Sequence, residues 1–153
     1  MTLDYANMMI NISMVLTTVL LVIAVVLIHY EGLSLLNRRL SKADATAHRW
    51  WVSYTIGLTI ILHIIEIWLF GLAYHVLLRW PEMGHLAGAH HAHFFDTIYF
   101  SATSFTSLGY GDLIPVGPIR FMAGTEGLVG LVLIGWSASF TYLEMQRFWP
   151  IRK

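Results

Sequence analysis

The stretch Ser104-Phe105-Thr106-Ser107-Leu108-Gly109-Tyr110-Gly111-Asp112 decides how this sequence is read. It closes an apolar, aromatic run, residues 94–106, that is too short to cross a bilayer. A run of that length at membrane depth reads as re-entrant, because irregular backbone is tolerated there only where it is buried in protein or lines a cavity. Longer apolar stretches flank it. About Trp51 to Leu78 carries Glu66 as its only formal charge, and about Phe121 to Leu143 carries only Glu126. A further run, about Met8 to Tyr30, has no Asp, Glu, Lys or Arg. Each reaches the roughly 20 residues that a spanning helix needs.

Composition agrees with a chain solvated by lipid. Of 153 residues, 57% are hydrophobic and 12% charged, against about a quarter charged in soluble domains; mean hydropathy is +0.65. The formal charge is zero and there is no basic tract, so a nucleic-acid partner is not expected. Without cysteine there are no disulfides or thiolate metal sites. The first run is expected to stay as a span, since no basic start or small-residue cleavage pattern surrounds it.

Loop charge sets the orientation. Arg38, Arg39, Lys42 and Arg49 collect between the first two spans, and Arg147, Arg152 and Lys153 follow the last; elsewhere there are only Arg79 and Arg120. Lys and Arg gather on the cytoplasmic side, so the amino terminus is expected outside and the carboxyl terminus inside, in a plasma or inner membrane. The re-entrant run then enters from outside. Trp80-Pro81 and Gly84 punctuate the end of the second span, and Pro115, Gly117 and Pro118 launch the third. Trp50, Trp51, Trp80 and Trp149 fall at membrane edges as anchors. The expected division is 1–50 for the first helix and its loop, 51–147 for a pore module, and 148–153 for a short tail.

A dehydrated monovalent cation needs a cage of oxygens to replace its water. Backbone carbonyls supply one if successive residues turn them the same way, which ordinary extended L-residues do not do. Gly109 and Gly111 tolerate the φ > 0 this requires. Copies around an axis would stack such carbonyls into rings, and a short helix ahead of them would aim the negative end of its dipole at the ion path.

Thr106-Ser107-Leu108-Gly109-Tyr110-Gly111-Asp112, set after a short helix between two spans, resembles the signature of the potassium-channel pore superfamily. Residues 51–147 are similar to its two-helix pore module, and the whole chain to small bacterial channel-like proteins with one extra helix. The resemblance implies an all-α membrane fold: three transmembrane helices, a re-entrant pore helix and a selectivity-filter loop, assembled as a C4 homotetramer in the lipid bilayer. It implies passive conduction of K+, held by carbonyls of Ser107, Leu108, Gly109 and Tyr110, with the Ser107 hydroxyl at the inner end. No enzyme activity and no cofactor are expected; K+ is the permeant ion. Ser107 and Leu108 stand where the family usually has Thr and Val, a departure that bears on the innermost site and on rejection of sodium. Tyr99 stands where an aromatic residue often braces the signature aspartate, here Asp112; plain packing is the other reading.

Other residues carry two readings each. In the third span Gly124 and Gly127 read as packing positions, and Gly130 and Gly135 as either packing or a hinge. His63 and Glu66, three apart on one helical face, would pair with each other or with Glu126 or Thr103 behind the filter. That makes them a protonation-sensitive support or a structural pair. His85, His90, His91 and His93 precede the short helix and could take external protons or divalent metals, or be solvated loop residues. A zincin His-Glu-x-x-His is absent. The Arg38 to Arg49 loop reads as a topology signal, with anionic lipid as the other reading. The first span has no arginine repeat, so no voltage sensor of the usual kind is expected, and no ligand-binding domain is expected after the third.

Overall fold

The computed structural model describes residues 2–40, 48–88 and 93–148. Its elements are α1 (Thr2–Leu40), α2 (His48–Leu77), β1 (His85–Ala87), α3 (Phe94–Phe105), β2 (Ile114–Val116) and α4 (Ile119–Phe148). Three helices are long and apolar enough to cross a membrane, within Asn7–Leu40, Trp50–Leu77 and Ile119–Arg147. The protein is an all-α, multi-pass membrane fold. The expected spans sit inside these helices to within a residue at the end of α2, but α1 runs ten residues past Tyr30 and carries Arg38 and Arg39 in its last turn rather than in a loop. At 1.5 Å per residue its 39 residues measure about 58 Å, well beyond the roughly 30 Å of hydrocarbon.

α2 ends at Leu77, and Pro81 opens a short 3-10 turn, Pro81–Met83. The reversals on either side of α3 are then tied together. β1 and β2 pair antiparallel, with His85 opposite Val116, Leu86 opposite Pro115 and Ala87 opposite Ile114. This ribbon joins the two ends of the re-entrant segment, with Leu86 buried beneath it.

The core gathers where α3 lies between α2 and α4. Phe70 and Tyr74 of α2, Phe100 and Phe105 of α3, and Ile119, Met122 and Leu133 of α4 are buried together, joined by Met14 and Val25 of α1. Tyr74 and Phe100 meet edge-on with centroids 5.0 Å apart. Lipid offers no hydrophobic drive between helices, so close approach depends on small residues. A Cβ on Gly71 would lie 2.9 Å from the Ile98 Cα. On Gly130 it would run into the Phe105 carbonyl oxygen, where α4 passes the end of α3.

Gly130 is therefore a contact position, and alanine there must push α4 away from backbone that cannot yield. Gly130→Ala should destabilise the solubilised protein by about 1–3 kcal/mol, read as a lower Tm. An unchanged Tm would mean that this contact is dispensable.

Candidate functional site

α3 stops at Phe105, and its backbone turns directly into the signature segment. The turn is held by main-chain bonds to the end of the helix: Ser107 N–H donates to Ser104 (3.0 Å) and Gly109 N–H to Thr103 (3.2 Å). Thr103 thus supports the segment through its carbonyl, while its hydroxyl bonds back to the Phe100 carbonyl at 2.9 Å.

Backbone angles alternate in sign beyond that point. Ser107 has φ +57°, Gly109 +51° and Gly111 +80°, while Leu108 and Tyr110 lie outside the positive region. Alternating left- and right-handed residues turn successive carbonyls toward the same side, where a simple strand would alternate them. Only two of the three left-handed positions are glycine. Ser107 adopts the third, a conformation uncommon for a non-glycine residue. Thr106 to Asp112 are exposed in the single chain, with Leu108 at 60% and Tyr110 at 69%.

Asp112 leaves this segment beside α3. The Tyr99 phenol donates to its carboxylate, and that hydrogen bond raises the phenol's pKa above the usual 10. The bond ties the outer end of the segment to the helix before it. Tyr99→Phe removes it and leaves the ring, so conducting periods should shorten in single-channel records while unitary conductance holds. Identical open times in parent and variant would argue that Tyr99 merely packs.

His63 and Glu66 meet, with Nδ1 2.8 Å from Oε2. Neither Glu126 nor Thr103 is their partner. The second oxygen of Glu66 instead takes His29 of α1, Nδ1 to Oε1 at 2.8 Å, a residue the sequence reading did not single out. Glu66 and His29 are fully buried. The signal available was that His29 is the one ionisable group in its run before Tyr30, but its partner lies 37 positions away on another helix.

The ion channel family matches residues 62–146, more than half of the 153 residues. The chain belongs to this ion channel family. The matched region lies inside the pore module expected at 51–147 and contains the whole signature segment, so the expected membership of the potassium-channel pore superfamily is borne out. The chain is similar to the inward rectifier potassium channel Kirbac3.1 of Paramagnetospirillum magnetotacticum, 31% identical over 99 residues, covering 63% of this chain and 32% of that one. It is also similar to Protein LctB of Geobacillus stearothermophilus, 29% identical over 99 residues, covering 65% and 69%. The match spans about a third of the first relative's length and about two thirds of the second's. No solved structure gives a significant match.

In this family member the two matched spans are also locked to α3 by a buried polar network. The Tyr74 phenol donates to Glu126 Oε2 at 2.5 Å, and Glu126 Oε1 lies 2.5 Å from the Ser101 hydroxyl. That hydroxyl also lies 2.7 Å from the Ile67 carbonyl. A serine has one proton, and the carbonyl can only accept. The set closes when Ser101 donates to Ile67 and Glu126 carries a proton on Oε1 to donate to Ser101. The sequence suggests Glu126 only as a partner for His63 and Glu66; Tyr74 and Ser101 carry no signal there, since each is an unremarkable residue of an apolar run.

The remaining expected residues separate. A Cβ on Gly127 would come 3.3 Å from the Ser104 carbonyl oxygen, a packing contact, whereas at Gly124 it would meet nothing within 4 Å, so the packing expected there is not made within one chain. Gly135 is equally open, and Gly135→Ala should alter open probability without lowering Tm if the inner helix bends there. His85 starts β1, and His93 is the N-cap of α3, its N–H donating to Asp96 at 2.9 Å. His90 and His91 lie outside the described residues, as do Lys42, Trp149, Arg152 and Lys153.

Proposed function

We propose that this chain is one subunit of a C4 homotetramer conducting K+ passively through carbonyls of Ser107, Leu108, Gly109 and Tyr110, with the Ser107 hydroxyl at the inner end. The observation that carries it is the alternation of left-handed residues at Ser107, Gly109 and Gly111. One chain contributes one side of a cage, and symmetry mates complete it. The exposure of Leu108 and Tyr110 supports this, because a large apolar residue and an aromatic one left uncovered on the single chain call for a covering neighbour. One relative is an inward rectifier potassium channel, which favours potassium as the ion.

Ions would displace one another in single file, no bond being broken, so the mechanism is conduction and not catalysis. The orientation that suits it puts the amino terminus outside and the carboxyl terminus in the cytoplasm of a cell membrane, from the placement of Lys and Arg. Ser107 and Leu108 favour a second reading, a weakly selective cation channel. Serine keeps the hydroxyl but lacks the methyl that restricts a threonine rotamer, and leucine is not β-branched.

Proteoliposomes loaded with potassium test conduction itself. Efflux down the gradient, blocked by barium, is expected. Vesicles that hold their gradient with correctly inserted protein would make the chain a scaffold and not a pore.

A further inference from the structure

We propose that His29, His63 and Glu66 bind a divalent transition-metal ion of the zinc type, which fastens α1 to the pore module. The three residues each offer one ligand atom, and these atoms lie within 4.8 Å of one another. Held at about 2.0–2.2 Å from an ion, three such atoms would stand roughly 3.4 Å apart, so ligation asks for side-chain adjustments of about 1 Å and no movement of helices. Both imidazoles already present Nδ1 to the carboxylate at 2.8 Å, and the rings stack with centroids 5.4 Å apart.

The donor set is selective. Two imidazoles and one carboxylate suit Zn2+ and its neighbours, whereas Ca2+ and Mg2+ prefer oxygen alone. The surroundings also ask for a cation. Glu66 is fully buried among apolar residues of the span, and the partners its carboxylate has are these two histidines. Buried ionisable groups at membrane depth are costly unless offset.

His29 supplies an independent observation. Its Nε2 is buried and has no hydrogen-bond partner. If Nδ1 carries the proton to serve Glu66, Nε2 is left as a bare lone pair on a ring whose centroid lies 5.2 Å from that of Trp136. Ligation through Nδ1 moves the remaining proton to Nε2, the form for which a neighbouring π face is the favourable partner. His63, 17% exposed in the single chain, is the least enclosed of the three ligands.

The placement gives the extra helix a task. His29 stands on α1, outside the region 62–146 that the family shares. His63 packs 5.8 Å from Phe105 at the end of α3, and His29 beside Trp136 of α4. An ion here therefore joins α1 to α2 against the end of the pore helix and the inner helix. This inference does not depend on conduction.

The test uses the full chain in detergent with Co2+ as probe and Zn2+ as competitor, on a background in which His85, His90, His91 and His93 are alanine. One Co2+ per chain, with the visible absorption of a tetrahedral nitrogen and oxygen site and displacement by Zn2+, is expected. His29→Ala and His63→Ala should each weaken binding by at least about a hundredfold, the upper end of what losing a mere supporting residue costs. Loss of the absorption with the loop histidines alone, or undiminished binding in His63→Ala, would overturn the proposal. Should His29→Ala not fold, the partly exposed His63 and the spectrum of the background protein still decide.

Discussion

Gly109→Ala is expected to abolish potassium efflux from proteoliposomes while leaving insertion and assembly intact. Gly109 has φ +51°, where an L-residue costs roughly 1–2 kcal/mol. In the proposed tetramer that cost is met four times, so the conducting arrangement would lose about 4–8 kcal/mol, and the lower figure already lowers its population about a thousandfold. Alanine escapes by returning to negative φ, which swings a carbonyl out of line and breaks the ring. The effect is conformational and not steric, since an added Cβ meets nothing within 4 Å of the same chain. Gly111→Ala, at φ +80°, should behave alike. Gly57→Ala is the control: exposed on α2, with nothing near its Cβ and no positive φ, it should conduct normally. Efflux from Gly109→Ala equal to that of the control would separate conduction from this backbone.

The second large effect belongs to Glu126. Glu126→Ala opens a hole between α2, α3 and α4 and leaves the buried Tyr74 phenol without an acceptor. The orphaned group and the cavity together should cost about 3–5 kcal/mol, seen as a large fall in Tm. Glu126→Gln discriminates between protonation states. Its amide N–H can donate to Ser101 where a protonated Oε1 would, and its oxygen can accept from Tyr74, so the loss should stay within about 1 kcal/mol. A Gln variant as unstable as the Ala variant would show that the carboxyl is ionised and that the proton assignment fails.

How much of this was legible in the sequence depends on the range of the interaction. The spans were, because lipid imposes a length and a composition on each run separately. So was the signature segment, where glycine spacing encodes a local backbone shape. Ser107 as a left-handed position is not legible, since nothing in its side chain announces it and only the two glycines carry that signal. The continuation of α1 to Leu40 was hidden because Arg38 and Arg39 mark where a helix leaves the membrane, not where it ends. The β1–β2 ribbon escaped because three-residue strands show no alternation, and one of them contains Pro115.

The long-range polar contacts were the least readable. Glu66 in a span needs a partner, and His63 stands three residues away on its own helix, but only the way α1 packs brings His29 beside it. Glu126 likewise drew attention as a charge in a span, while its partners, Tyr74 and Ser101, lie 52 and 25 positions away. Orientation of one helix against another fixes such pairs, and periodicity within a run does not contain it.

The reversal potential under opposed gradients, potassium on one side of a planar bilayer and sodium on the other, bears most directly on a carbonyl cage fitted to potassium. The current should reverse close to the potassium equilibrium potential and vanish in barium. Reversal near zero, with both ions carrying comparable current, would contradict it.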